Sequence, residues 1–132
     1  MKSILLSIVG LILGAVSNGI LVQVGTKLIA APAGHDFSTE AGLKAGMAAM
    51  EPKHFLFPFL AHAIGTFVGA FFVSKMKIER SLIHAMAIGF AFLAGGVMMV
   101  IMLPETPLWF TLTDLLLAYL PMAYLGHRLG QR

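Results

Sequence analysis

The sequence predicts an all-α fold: a transmembrane four-helix bundle with a short interfacial helix in the first outer loop. Two observations carry that expectation. The 132-residue chain is 58% hydrophobic and 11% charged, against roughly 45–50% and about 25% in ordinary soluble domains. Its apolar residues also fall into four uninterrupted runs near the length of about 20 residues that crosses a bilayer core. The alternation of a barrel strand is missing from all four. Length and composition fit one membrane domain over residues 1–132 and exclude a soluble globule, a disordered chain or a nucleic-acid binder.

The first run covers about residues 3–30, with Lys27 as its only charge. Its start imitates a secretory signal, with Lys2, an apolar stretch and Ala15-Val16-Ser17. Apolar character continues through Val24, which favours an anchor that stays. A long connection at about 32–53 follows. Pro32-Ala33-Gly34 opens it as a turn, and Ser38 or Thr39 caps a short helix with Leu43, Met47 and Met50 at helical spacing. It reads either as an interfacial helix or as a packed loop helix.

The second run covers about 54–76 and the third about 81–103, joined by a tight turn with Lys75, Lys77, Glu79 and Arg80. The fourth covers about 107–129 and contains Asp114. Glu51-Pro52 and Thr106-Pro107 each place a polar cap before a proline at a helix start. Basic residues set orientation. With the N-terminus inside, the inner side holds Lys2, Lys75, Lys77, Arg80, Arg128 and Arg132, and the outer side Lys27, Lys44 and Lys53. That asymmetry predicts both termini in the cytoplasm. Trp109 and Tyr124 suit the two aromatic belts.

In lipid, helices associate through small residues and interhelical hydrogen bonds. Gly10, Gly14, Ser17, Asn18 and Leu21 share one face of the first span, and His62, Gly65, Thr66, Gly69 and Val73 one face of the second. His84, Ala91, Gly95, Met98 and Met102 form the expected packing face of the third, and Asp114, Leu117, Ala118 and Pro121 that of the fourth. Gly10-x-x-x-Gly14 and Gly65-x-x-x-Gly69, each followed by Ala, echo one another. They reflect either a repeat or shared composition, and support close packing within one chain or between chains.

Asp114 is the leading site candidate, because a carboxylate in hydrocarbon costs a few kcal/mol unless it is neutral, paired or wet. His62 is its candidate partner. At about 1.5 Å per residue the two lie roughly 15 Å and 11 Å below the same surface. The pair reads as a proton-sensitive dyad or ligand pocket, or as a structural clasp, which Asn18 joins or supplements. Pro121, seven residues on and so on Asp114's face, kinks the fourth helix and frees the Leu117 carbonyl. His84 and His127 are expected at headgroups. His35, Asp36 and His54, with Glu40 and Glu51 nearby, match no metal motif. No metal, cofactor or catalytic residue is expected. The absence of cysteine excludes disulfides, thiolate sites, thiol nucleophiles and a lipoprotein anchor.

Four segments carry a resemblance: residues 32–36 (PAGHD), 60–69 (LAHAIGTFVG), 107–110 (PLWF) and 114–126 (DLLLAYLPMAYLG). Their order and spacing resemble a group of uncharacterised small bacterial four-helix integral membrane proteins. The resemblance spans nearly the whole chain and implies four spans and a bacterial inner membrane, with no activity attached. The group's turn of Pro-His-Pro type and third-helix Asn are replaced here by Pro104-Glu-Thr-Pro107 and the region of Met98 and Met99. Small multidrug exporters share the size but need a first-helix acid that this chain lacks, and the polar signature of fluoride channels is missing too.

Three functions fit the residues. The first is a non-enzymatic homo-oligomer, or an accessory subunit for an unidentified membrane partner. The second is a small transporter or channel for protons, ions or solutes, built on His62 and Asp114. The third is a lipid-binding protein or intramembrane enzyme using the outer loop. Membrane lipids are the expected partners in each.

Overall fold

The computed structural model describes residues 1–132 as helices and connecting turns. The elements are α1 (Lys2–Leu28), α2 (Glu40–Gly46), α3 (Leu56–Lys75), α4 (Ser81–Met102), α5 (Leu108–Leu117) and α6 (Leu120–Gly130), with 3-10 turns at Met47–Ala49 and Pro52–Phe55. Four helical stretches are long and apolar enough to cross a membrane: Lys2–Leu28, Pro52–Lys75, Ser81–Met102 and Leu108–Gly130. Large apolar side chains such as Ile4, Ile12, Phe90, Ile101 and Leu116 stand exposed along them. Such an exterior suits a membrane protein and would be a liability in water.

α3 lies at the centre, packed against α1, α4 and α6. Both termini lie at one end of the bundle, and the long connection through α2 lies at the other, the loop end. Glycines set the spacing of α1 and α3. The buried residues of α1 are Gly10, Gly14 and Gly25. The two Gly-x-x-x-Gly motifs cross each other in opposite directions: a Cβ on Gly69 would come within 2.7 Å of the Gly10 carbonyl oxygen, and one on Gly65 within 2.8 Å of that of Gly14. Backbones this close leave no room for a side chain, which is why small residues are needed.

A third motif of this kind, Gly126-x-x-x-Gly130 in α6, meets α3 at the Phe67 and Phe71 carbonyls, 2.6 Å and 2.8 Å from the would-be Cβ atoms. The packing face of α4 differs from expectation. Ser81, Ala85, Ile88, Gly89 and Gly96 are buried, while Ala91, Met98 and Met102 are exposed. Gly95 has nothing within 4 Å; Gly96, one residue on, lies against the Tyr119 hydroxyl. The expected face, with Gly95 on it, is out of phase with the one that packs, because α4 is apolar nearly all round.

The fourth span is broken rather than kinked. α5 ends at Leu117, Tyr119 takes φ −114° and ψ −82°, and α6 restarts with Pro121 in its first turn. Proline has no N–H for the Leu117 carbonyl, and its ring disfavours helix at the preceding residue. The break resets the helical phase. Pro121 is therefore exposed instead of sharing the buried face of Asp114 and Ala118; Leu117, expected on that face too, is exposed within α5 itself.

The terminal end is closed by a core of Ala70, Val73, Ile78, Ala85, Ile88 and Ala123. Interhelical hydrogen bonds reinforce it: Ser7 Oγ with His84 Nδ1 at 2.8 Å, Ser74 Oγ with His127 Nδ1 at 2.9 Å, and Gln131 Nε2 to Ser81 Oγ at 2.9 Å. His84 and His127 thus clasp neighbouring helices through serines. Lys77 and Arg80 close the α3–α4 turn at φ 48° and 54°, a left-handed conformation that costs a side-chain-bearing residue about 1–2 kcal/mol.

At the loop end, Thr39 caps α2 by accepting the Gly42 N–H at 3.0 Å. The Ser38 hydroxyl and amide hydrogen-bond Asp36 and hold its carboxyl below the usual 3.8. The hydrogen bond and charge of Glu40, 2.8 Å from Lys44, raise that amine above its usual value. Leu43, Met47 and Met50 pack on Phe55, Leu103 and Phe110, so the connection folds over the bundle as a packed loop helix. Thr106 does not cap α5. Its hydroxyl closes the preceding turn on the Leu103 carbonyl at 2.8 Å, and Pro107 takes the capping position.

Candidate functional site: a cavity with a polar floor

α3 and α5 enter the bundle side by side from the loop end, which brings His62 and Asp114 together at similar depth. His62 Nδ1 lies 2.9 Å and 3.0 Å from the two Asp114 carboxylate oxygens. Tyr119 joins them: its hydroxyl donates to Asp114 Oδ2 at 2.7 Å and lies 3.0 Å from His62 Nδ1. The Tyr119 and His62 rings stack at 5.7 Å. The phenolic proton is given to the carboxylate, so Nδ1 is the donor within this triad and carries its own proton. That choice leaves His62 Nε2 as the ring atom directed elsewhere.

Burial divides the three. Asp114 and Tyr119 are enclosed, at 5% and 1% exposure, whereas the His62 side chain retains 23%. Nε2 makes no hydrogen bond within the protein, yet no enclosed polar side-chain atom is left without a partner. The free nitrogen is therefore accessible, and His62 lines a cavity.

That cavity has a volume of about 370 Å³ and runs from the loop end down to His62 and Asp114. This falls in the lower part of the range of about 300–1,000 Å³ typical of small-molecule sites. α1 contributes Val22 and Gly25 to its wall, α4 Met99 and Val100, and the loop end Phe37 and Met47. Apolar walls with a few convergent polar groups are the usual composition of a ligand site.

His54 sits at the mouth. Its Nδ1 accepts the Glu51 N–H at 2.8 Å, which leaves Nε2–H to donate to the Ala30 carbonyl at 3.2 Å. The imidazole thereby ties the end of the first span to the start of the next. His54 is committed to this cap and stands apart from His35, Asp36 and Glu40 in function.

Asn18 does not enter the triad. Its Cβ packs over Gly65, 3.0 Å from where a Cβ of that glycine would stand, making it part of the α1–α3 contact. Gly10, Gly14, Gly65 and Gly69 lie in that same contact, below the cavity; Gly95 faces outward and Pro121 lies on the outer side of the break. Tyr119 was missed by sequence reasoning. Five residues past Asp114 on a continuous helix it would sit about 140° away, and only the break turns it back to the carboxylate. Gly96 was missed as well; a Cβ there would collide with the Tyr119 ring.

No family model, curated protein or solved structure matches this chain.

Proposed function

We propose that this chain is a small-molecule-binding protein of the bacterial inner membrane, with both termini cytoplasmic and its cavity in the outer half of the bilayer. The ligand is a single-tailed amphiphile whose polar head meets His62 Nε2 and whose tail fills the apolar shaft. One observation carries the reading: a carboxylate-anchored histidine, its Nε2 accessible, at the foot of a mostly apolar cavity. His84 and His127, which clasp helices through Nδ1, also leave Nε2 without a protein partner, so it is the cavity that sets His62 apart: a clasp alone needs no such space.

The packed core of Ala70, Val73, Ile88 and Ala123 beyond the triad favours a binding site over an open channel. The Gly-x-x-x-Gly motifs of the first two spans are spent on one another inside the chain, so the site needs no second copy to be whole. No serine or cysteine lines the cavity beside the histidine, which supports a binder over a hydrolytic enzyme.

The test is native mass spectrometry of protein extracted gently with its lipids. The expected result is one small-molecule adduct per chain, lost in Val100→Trp, which fills the shaft, with helical content unchanged by circular dichroism. An adduct-free wild type that no added single-tailed amphiphile stabilises against heat overturns the proposal.

A further inference from the structure

Charge narrows the class of ligand. The groups facing the cavity that can ionise are His54 from the Pro52–Phe55 turn, His62 from α3 and Asp114 from α5, with the Tyr119 phenol touching the last two. α1, α2 and α4 contribute none. No lysine or arginine lines the cavity. At the loop end Lys44 is held by Glu40 at 2.8 Å and Lys53 by Glu51 at 3.1 Å. Asp114 is thus the one facing group that is anionic when ionised, and its hydrogen-bond partners are an imidazole and a phenol rather than a fixed cation.

From this we infer that the cavity is built for a lipophilic amine, whose ammonium donates a hydrogen bond to His62 Nε2 and supplies the counter-charge that Asp114 lacks. The inference rests on the binding function proposed above and names its ligand class. An anionic head meets no lysine or arginine here and, when Asp114 is ionised, is repelled by the carboxylate a few ångströms away, in surroundings where charge is weakly screened. A neutral alcohol satisfies Nε2 but leaves the carboxylate uncompensated. Phe37, Phe55, Phe57 and Phe110 line the shaft and offer apolar contact to the tail. The volume suits a single chain.

The test uses the full-length wild-type protein in phosphatidylcholine nanodiscs, with empty nanodiscs as the blank. Decylamine, decanol and decanoate share a tail and differ in head charge near neutral pH. Saturable binding is expected for decylamine, at least about tenfold weaker binding for decanol, and none for decanoate. In Asp114→Asn the amine should fall to the decanol level while decanol is unchanged. Equal affinities for amine and alcohol, or tighter binding of decanoate, overturn the amine assignment and leave amphiphile binding standing. No saturable binding of any of the three overturns the binding function itself. If Asp114→Asn fails to fold, the head-group series on the wild type decides alone.

Discussion

Adding one methyl group at Gly14 should cost far more than adding it at Gly19, five residues further along the same helix. A Cβ at Gly14 stands 2.5 Å from the Gly65 carbonyl oxygen and 3.1 Å from the Phe92 ring, whereas Gly19 has nothing within 4 Å. Ordinary contact begins near 3.4 Å, so α1 must retreat by about 1 Å at the crossing, a shift of the kind that overpacking imposes at about 1–3 kcal/mol. Both substitutions gain the same helix preference of alanine over glycine, about 1 kcal/mol. Their difference therefore isolates the crossing. Gly14→Ala should be less stable than Gly19→Ala by about 1–3 kcal/mol, roughly a 5- to 150-fold change in the folding constant. Reversible unfolding by dodecyl sulfate in mixed micelles, followed by circular dichroism, measures it. A difference below about 0.5 kcal/mol would refute the intrachain crossing. A loss that fades as protein concentration rises would place these glycines between chains instead.

The same logic applies to α4: Gly96→Ala should destabilise by about 1–3 kcal/mol through the Tyr119 ring, and Gly95→Ala should not, in the same assay. Tyr119→Phe removes the donor to a buried carboxylate, for a loss of about 1–3 kcal/mol; an unchanged unfolding midpoint would dismiss that hydrogen bond. Ser38→Ala should return the Asp36 carboxyl upward toward 3.8, read by carbon-detected NMR titration. Because the folded value is depressed, the small stabilisation from this contact is present above 3.8 and fades as pH falls below it. Pro121→Ala should restore hydrogen exchange protection across 117–121, since alanine supplies the N–H that the Leu117 carbonyl lacks; exchange as fast as in wild type would mean that proline does not cause the break.

How much of this was legible beforehand depended on whether a property belongs to one helix or to two. Four long apolar stretches follow from local composition, and the structure has four helical spans of that length, the last of them broken. The depth of His62 and Asp114 follows from counting residues down each helix, so their proximity was accessible. Faces were harder. On α3 the polar and small residues share one stripe, and Gly65, Thr66 and Gly69 are indeed buried. On α4 no stripe stands out from its apolar surround, and Gly95 was chosen where Gly96 packs. Gly126-x-x-x-Gly130 has the same spacing in the sequence as the other two motifs. Tyr119 was not readable at all without the break, since a helix phase carried across Pro121 points it away from the site. The cavity is the clearest case of a property of several helices together, because no single span encodes a space.

The way α1 is attached bears on how the chain is made. Every buried residue of that helix is a glycine, so it lends the bundle mainly a surface to lie against, with a few half-buried side chains such as Leu6 and Ser7. It is also the most apolar span, with a mean hydropathy of 2.3 against 1.4 for Leu108–Gly130. During synthesis α1 enters the membrane before α3 exists, and nothing in it demands a partner while it waits. The last span is the opposite. It carries a carboxylate and an interrupted backbone, both intolerable alone in hydrocarbon. By the time it emerges, His62 on α3 is already in place to receive Asp114. The order of the helices along the chain thus matches the order in which each can do without the others. A truncated chain ending before Pro107 should insert its three spans, whereas residues 107–132 fused alone behind a neutral leader should insert poorly.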